Sequence, residues 1–327
     1  MNAQGVTVLL LASRHLDMTY LLAPLQSAFD RAGQAVELRL LPPTPSLAGV
    51  PGGEEVDLAL CWDAPLGLWP HLPRVQLAQS LAAGVDHLLA DPTLPPDLPL
   101  GRIRDPHMAS GMTAYVVGTV AAGHRQRATY ARQQAQGLWR ELPVVPATQY
   151  TVGIAGMGTL GARCAQVLAA IGYQVRGWSR TAPAAPLSGC SHYAGEAERD
   201  MFLQGLDALV CLLPLTAQTQ GFVNQKCLSQ LARGAHVINV GRGLHVVDAD
   251  LQAALHSGQV GLATLDSFAQ EPLPAEHFWW RTAGVEITPH IATRTAPAVI
   301  AEQTLRHWQQ AQAGRPLDAA VDRAQGY

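Results

Sequence analysis

Arg242, Glu271 and His290 have complementary chemistry, and each comes shortly after an apolar run typical of a buried strand. An arginine can bind a carboxylate and a nearby carbonyl oxygen through its planar fork of N–H groups, and a histidine can donate a proton to an oxygen. A glutamate beside the histidine would orient the ring and favour its protonated form. Because ligands bind beyond the carboxyl ends of the strands in a doubly wound sheet, we predict that these three side chains form one catalytic site.

Each of these residues also has an ordinary structural explanation. Arg242 could be a loop residue, Glu271 a surface acid before a proline, and His290 a hydrogen-bonded core histidine. Any one of them alone is more often structural than catalytic. Their joint occurrence at strand ends, downstream of a phosphate-binding turn, favours the catalytic interpretation.

The phosphate-binding turn is a glycine motif between a predicted strand, Thr151–Ala155, and a predicted helix, Thr159–Ile171. In this motif the first glycine permits a tight turn, the second lets the backbone approach a pyrophosphate, and the third lets helix and strand pack closely. The helix N-terminus offers N–H groups to the anion. A lone motif of this kind is often only a glycine-rich loop, but the strand and the helix around it favour dinucleotide binding. The residues we assign to this function are Gly156, Met157, Gly158, Thr159, Leu160 and Gly161, and the expected apolar stripe of the helix is Leu160, Cys164, Val167, Leu168 and Ile171.

The end of the next predicted strand, Gln174–Trp178, indicates which dinucleotide is bound. An NAD site usually has an acid here to hold the ribose hydroxyls, whereas this chain has Ser179, Arg180 and Thr181. These three side chains could hydrogen-bond a 2′-phosphate, which an acid would repel. The alternative is a solvated surface arginine. We predict NADP, with NAD use left open because no second basic residue follows.

A nicotinamide cofactor and the three catalytic candidates together predict the reduction of a 2-oxo acid. Arg242 would bind the carboxylate and the carbonyl oxygen, His290 would donate the proton, and Glu271 would support the imidazolium. The sequence does not identify the 2-oxo acid or the direction of the reaction in the cell.

Short apolar runs alternate with helical patterns along the whole chain, which is typical of a parallel α/β sheet. A proline-rich segment, Asp91–Gly101, divides two such series and suits a linker. The predicted helices are Thr19–Ala32, Met112–Gln136 and Ala296–Ala313. The other predicted strands are Val6–Leu11, Val36–Leu41, Val56–Cys61, Val75–Ala78, Leu100–Ile103, Ala208–Leu213, His236–Val240, Leu262–Asp266 and Val285–Thr288. The fold class that we predict is α/β, with two doubly wound (Rossmann- or flavodoxin-like) domains and a cleft between them.

Composition restricts the partners and the compartment. A formal net charge of -3 gives no support for a nucleic-acid partner. Five cysteines without a C-x-x-C pair argue against disulfides and zinc, and no histidines and acids have metal-ligand spacing, so we predict no metal. No apolar run reaches membrane-spanning length, and the short apolar N-terminus is read as a strand. We therefore expect a soluble cytoplasmic protein.

Several further motifs resemble those of one enzyme family. They are Leu81-Ala82-Ala83-Gly84-Val85-Asp86, Leu213-Pro214-Leu215-Thr216 and the closing Val321-Asp322-Arg323-Ala324-Gln325-Gly326-Tyr327, in addition to the glycine turn and the catalytic segments. Nearly end to end, the chain resembles the D-isomer-specific 2-hydroxyacid dehydrogenases, and among them the glyoxylate/hydroxypyruvate reductase A type.

The resemblance implies a discontinuous substrate domain, residues 1–100 with 291–327, around a dinucleotide-binding domain, residues 101–290. It implies that backbone N–H groups of Ala83, Gly84 and Val85 bind the substrate carboxylate and that Asp266 lies near the nicotinamide carboxamide. Other cofactor contacts are expected from Leu213, Pro214, Val240 and Gly241. A homodimer is expected too, with Trp139 either reaching a neighbouring subunit or covering the core. Trp62 could wall the substrate pocket, or it could be an ordinary core aromatic.

The chain departs from the family pattern at some positions, and two rival functions are also considered. Gly241 replaces the usual alanine, which would loosen the backbone before Arg242, and Ala114 replaces a frequent glutamate before Tyr115. One rival function is a non-enzymatic dinucleotide sensor of the same fold, and the other is a dehydrogenase of larger 2-hydroxy acids. Intact Arg242, Glu271 and His290 favour the enzyme.

Overall fold

The computed structural model describes residues 5–44, 47–183, 185–321 and 323. The chain divides into two compact units, one formed by Met1–Asp105 with Thr295–Tyr327 and the other by Pro106–Arg294. Most of the closing motif, Asp322 and residues 324–327, lies outside the described residues.

The first unit contains a five-stranded parallel sheet in the order β2-β1-β3-β4-β5. All seven residues of β1 are buried because this strand lies inside the sheet with helices on it. The C-terminal helix α9 packs beside α1, and the Trp308 indole donates to Thr7 Oγ1 over 3.1 Å. The strands are β1 Thr7–Ser13, β2 Val36–Leu40, β3 Leu58–Trp62, β4 Leu77–Ser80 and β5 Leu100–Gly101, and the helices are α1 Leu22–Arg31, α2 Asp86–Leu89 and α9 Pro297–Gln312.

The second unit contains a seven-stranded parallel sheet in the order β12-β11-β10-β9-β6-β7-β8. Strands β7 and β8 lie on one side of β6, and β9 to β12 lie on the other, so the order of the strands reverses at β6. Doubly wound sheets bind ligands at such a switch point. The strands are β6 Thr151–Ala155, β7 Gln174–Ser179, β8 Cys190–Ala194, β9 Ala208–Cys211, β10 Ala235–Asn239, β11 Val260–Leu265 and β12 Val285–Ile287. The helices are α3 Pro106–His124, α4 Arg127–Ala135, α5 Thr159–Ile171, α6 Arg199–Leu203, α7 Gln225–Gln230 and α8 Asp248–Ser257.

The predicted doubly wound α/β architecture is confirmed, but several individual elements differ from those predicted. The helix expected over Met112–Gln136 is two helices, because Gln126 adopts a left-handed φ of 53° between α3 and α4. Strand β8 was not predicted. Helix α5 has the predicted bounds, but its stripe is rotated from the one expected: Ile171 is half-exposed, and the buried residues are Gly161, Cys164, Ala165 and Leu168.

Four of the five cysteines are buried as free thiols, and Cys190 is partly buried. Burial raises the pKa of Cys61 and Cys211 to about 12, so these thiols stay protonated at neutral pH. In the part of the chain that the structure describes, no helix has the length and apolar character needed to cross a membrane. Within the same residues, no group of three metal-ligating side chains is found.

His236 of β10 is expected to make the stability of the second unit sensitive to acid. Its Nε2–H donates to Thr264 Oγ1 over 2.9 Å, and its buried Nδ1 has no partner among the described residues. Burial lowers the pKa of His236 to about 3. Between pH 6.5 and 3 the unfolded chain therefore binds a proton that the folded chain does not. The free energy of unfolding should decrease as the pH is lowered through this range, by at most about 1.4 kcal/mol per pH unit.

Urea unfolding at pH 7.5, 6.0 and 5.0 would test this expectation, with His236→Gln as the matched variant. Glutamine retains an N–H donor for Thr264 and cannot titrate. The free energy of unfolding of the variant should therefore decrease less steeply than that of the parent protein as the pH is lowered. Equal slopes in the two proteins would show that His236 does not contribute to the acid sensitivity.

Candidate active site

The glycine turn after β6 has the backbone geometry that a phosphate-binding turn requires. Gly156 adopts a φ of +107°, and its N–H donates to Trp178 O over 2.8 Å. A Cβ at this position would lie 2.6 Å from the carbonyl oxygen of Leu212, at the end of β9. Only glycine fits here, because both the φ and the close backbone contact exclude a side chain.

The other two glycines of the turn differ in their surroundings. A Cβ on Gly161 would lie 1.9 Å from the Gly156 carbonyl oxygen, whereas nothing lies within 4 Å of a Cβ on Gly158. Gly158 is the N-cap of α5, where no side chain caps the helix and no acid occupies the first turn. The first N–H groups of the helix, on Thr159, Leu160 and Gly161, have no intrahelical acceptor and can bind an anion. The open space and the unpaired donors fit a pyrophosphate.

Gly161→Ala is expected to destabilise the second unit, because the new methyl group would overlap the backbone of the turn. Overpacking of this kind costs about 1–3 kcal/mol. The free energy of unfolding from urea titration would measure it. Gly158→Ala is the matched control: its φ of -71° suits alanine and the site is open, so its stability should stay close to that of the parent protein. Equal losses in both variants would contradict this account of Gly161.

Ser179 is the last residue of β7, and Arg180 and Thr181 follow it, beside the turn. Met157 of the turn packs over β7, since a Cβ on Gly177 would lie 2.6 Å from the Met157 sulfur. The Ser179 hydroxyl donates to the Thr181 carbonyl over 2.8 Å, and Arg180 and Thr181 are exposed. The strand end thus offers a hydroxyl and a guanidinium and carries no carboxylate.

Two buried polar residues that the sequence did not single out hold the backbone around Arg242. Asn239 donates from Nδ2 to the Arg242 carbonyl over 2.9 Å, and the Arg242 N–H donates to His245 Nδ1 over 2.9 Å. Because Nδ1 of His245 accepts, its Nε2 carries the proton and faces Pro214 O at 3.3 Å. The ends of β9 and β10 are therefore linked beside Arg242. Both residues lie within the NVGRGLH segment that contains Arg242. An amide and an imidazole so close to a catalytic candidate were the sequence signal that could have identified them as its supports.

The residues flanking Arg242 are closely packed. A Cβ on Gly241 would lie 2.8 Å from His245 Nδ1, so glycine at this position allows a tight contact with that imidazole. The Val240 N–H donates to Cys211 O over 3.1 Å, and Leu213 is buried after the end of β9.

Glu271 and His290 are in direct contact. The imidazole Nδ1 lies 2.8 Å from Glu271 Oε2, and the Phe268 N–H donates to Oε1 over 2.9 Å. Burial on its own would raise the pKa of Glu271, but the hydrogen bonds from His290 and Phe268 and the charges of His290 and Arg242 together lower it. Glu271 is thus ionised at neutral pH and accepts the Nδ1–H, which makes Nε2 the nitrogen able to exchange a proton with a substrate.

Asp266 holds the loop that carries His290. Its Oδ1 accepts from the Thr288 hydroxyl over 2.5 Å and from Ile291 N–H over 2.8 Å, and its Oδ2 accepts from Ala292 N–H over 2.9 Å. The Tyr115 hydroxyl lies 2.6 Å from Thr288 Oγ1 and extends this network to α3. His290 itself has a left-handed φ of 53° within the loop. Contact of Asp266 with a nicotinamide stays a prediction.

In the first unit, Trp62 ends β3 and Ala83, Gly84 and Val85 form the turn after β4. The Ser80 hydroxyl donates to Gly84 O over 2.6 Å, and His87 fixes that hydroxyl. His87 Nδ1 accepts from Asp63 N–H over 3.1 Å, so its Nε2–H donates to Ser80 Oγ, also over 3.1 Å.

The turn after β4 offers backbone donors. Among the described residues, the N–H groups of Ala83, Gly84 and Val85 have no acceptor, which suits an anion. Trp62 lies with its ring 5.0 Å from that of His87, centroid to centroid. The Trp139 side chain, in the second unit, is fully exposed, so the interpretation that it covers the core is wrong.

Comparison with known proteins gives one consistent family. Residues 117–292 match the model of the D-isomer specific 2-hydroxyacid dehydrogenase NAD binding domain. A Yersinia enterocolitica protein named glyoxylate/hydroxypyruvate reductase A is 40% identical over 279 residues, which cover 84% of this chain and 88% of that protein.

Among the solved structures that cover almost the whole chain are two with a bound nicotinamide cofactor. A D-isomer specific 2-hydroxyacid dehydrogenase from Xanthobacter autotrophicus Py2, in complex with NADPH and MES, has a TM-score of 0.84 and 37% identity and covers 98% of this chain and 99% of its own. An NADPH-dependent glyoxylate/hydroxypyruvate reductase from Sinorhizobium meliloti, in complex with NADP and sulfate, has a TM-score of 0.84 and 32% identity over 98% of this chain and 100% of its own. The chain belongs to the D-isomer-specific 2-hydroxyacid dehydrogenase family.

Proposed function

We propose that the protein is an NADPH-preferring reductase of small 2-oxo acids of the size of glyoxylate or hydroxypyruvate. The observation that carries this proposal is the 2.8 Å contact between Glu271 and His290, at the strand ends of the unit that contains the glycine turn. A sensing protein would not need an ionised carboxylate that holds a histidine for proton transfer. The names of the Yersinia and Sinorhizobium relatives agree with this substrate class.

In this mechanism the chain binds the substrate, orients it and supplies a proton. A bound NADPH would supply the hydride to the carbonyl carbon. Arg242 binds the substrate carboxylate and the carbonyl oxygen, and its charge stabilises negative charge developing on that oxygen. His290 donates the proton from Nε2, while ionised Glu271 stabilises the imidazolium and fixes the ring.

Other residues position the substrate and the catalytic loop. Asp266 and Thr288 keep His290 in place through the loop that follows β12. The N–H groups of Ala83, Gly84 and Val85 bind the carboxylate, and Trp62 limits the size of the substrate side chain.

The cofactor site is formed by the glycine turn and the end of β7. Gly156 to Gly161 would hold the pyrophosphate at the N-terminus of α5, and Ser179, Arg180 and Thr181 would hold the 2′-phosphate. Leu213, Pro214, Val240 and Gly241 would line the path to the nicotinamide, with Asp266 near its carboxamide. The single guanidinium at the strand end leaves NAD as a weaker alternative cofactor.

We further propose a cytoplasmic homodimer in which residues 1–100 with 291–327 bind the substrate and residues 101–290 bind the cofactor. The fully exposed Trp139, with half-exposed Leu138 and Val144 in the same segment of the chain, suits burial against a second copy. Light scattering after gel filtration would give the mass of the assembly. Trp139→Ser should shift that mass towards the monomer.

Initial rates of NADPH and NADH oxidation test the function directly. Glyoxylate and hydroxypyruvate are the expected substrates, and pyruvate and phenylpyruvate are the comparisons. NADPH-dependent turnover of the two small acids would support the proposal. Faster turnover of phenylpyruvate would favour a dehydrogenase of larger substrates, and tight cofactor binding without turnover of any acid would favour a sensor.

A further inference from the structure

His192 lies on β8, the edge strand beside β7, and contacts the end of the cofactor site. Its Nε2 is 2.8 Å from Ser179 Oγ, and the two strands pair in parallel with Gly177 opposite His192. The His192 Nδ1 is buried and has no partner among the described residues. Neither the glycine motif nor the catalytic residues account for this imidazole.

The hydrogen bonds around Ser179 determine where each proton lies. The Thr181 carbonyl, 2.8 Å from Ser179 Oγ, can only accept, so it takes the single hydroxyl proton. His192 must therefore carry its proton on Nε2 and donate it to Ser179. The bare lone pair is left on Nδ1, in agreement with the buried and unpartnered position of that atom. Burial lowers the pKa of His192, although the charge of Glu198 acts in the opposite direction, and this favours the neutral ring.

We propose that His192 is a positioning residue for the 2′-phosphate of NADP, acting through the hydroxyl of Ser179. The inference rests on the proposed NADP-dependent function. The hydrogen bond from His192 fixes Ser179 Oγ, so that on cofactor binding the hydroxyl proton turns from the Thr181 carbonyl to a phosphate oxygen. A hydroxyl that already accepts a hydrogen bond is a stronger donor, and a charged phosphate is the stronger acceptor. NAD lacks the phosphate and should gain nothing from this arrangement.

Dissociation constants for NADPH and NADH, from fluorescence titration of the full chain, test the proposal in four variants. His192→Phe keeps a ring of similar size but removes the donor, and it should weaken NADPH binding about three- to tenfold while NADH binding changes less than about twofold. His192→Gln places an amide N–H near the position of Nε2 and should restore most of the NADPH affinity. Ser179→Ala should weaken NADPH binding, and adding His192→Phe to it should cause no further loss.

Three outcomes would overturn the inference. Equal loss of NADPH and NADH affinity in His192→Phe, with no rescue by glutamine, would assign His192 a structural role only. Additive losses in the double variant would show that His192 does not act through Ser179. Unchanged selectivity in Ser179→Ala would remove Ser179 from the phosphate site as well. In that case, turnover of glyoxylate by the parent protein would still decide the reductase function separately.

Discussion

Replacing Arg242 with alanine is expected to lower kcat/KM for glyoxylate at least about a thousandfold and to raise KM. A loss of this size corresponds to about 4 kcal/mol of transition-state stabilisation. Arg242 is the proposed bidentate partner of the substrate carboxylate and carbonyl oxygen, so its removal leaves developing negative charge without a cation. Steady-state rates with saturating NADPH would measure both parameters.

The structure indicates that this substitution can be tested without loss of the fold. The backbone N–H of Arg242 is held by His245 and its carbonyl by Asn239, and both contacts are independent of the side chain. Among the side-chain contacts, the 3.0 Å bond from Nη1 to the Gly241 carbonyl would be lost. Arg242→Lys, which keeps the charge but not the fork, should recover part of the activity. Near-normal kcat/KM in the alanine variant would exclude Arg242 from the mechanism.

The elements around the glycine turn are those that the sequence predicts best. Strand β6 and helix α5 have the predicted bounds residue for residue. A buried run, three spaced glycines and a helical apolar pattern all indicate the same local structure there. The positions of Arg242 and His290 at strand ends could also be predicted, because the loops that follow parallel strands lie at the same edge of the sheet.

Contacts between distant segments could not be predicted in this way. Strand β8 reads CSHYA and lies at a sheet edge, where mixed polar and apolar residues give no buried-strand signal. The contact of His192 with Ser179 therefore could not be predicted without knowing how β7 and β8 pair. Likewise, Asp266 accepts from Ile291 and Ala292, which lie 25 and 26 residues further along the chain, and no local pattern indicates this contact.

Substitution of His290 should reduce turnover much more than it affects substrate binding. Because His290 has a φ of 53°, asparagine is the better test residue, since it tolerates the left-handed region better than most residues. His290→Asn is expected to lower kcat about 10²- to 10⁴-fold, the usual contribution of a general acid, and to change KM for glyoxylate less than about threefold. Steady-state rates of NADPH oxidation at varied glyoxylate concentrations would give both kcat and KM.

Glu271→Gln separates the proton donor from the residue that holds it. Glutamine can still accept the Nδ1–H through its amide oxygen, but it removes the negative charge that stabilises the imidazolium, and its amide can also face the ring with an N–H group. The loss in kcat should therefore be smaller than in His290→Asn, and the double variant should lose no more than His290→Asn alone, because Glu271 acts through His290. A full additional loss in the double variant would mean that Glu271 contacts the substrate itself. Near-normal turnover in His290→Asn would require another proton donor and would contradict the mechanism.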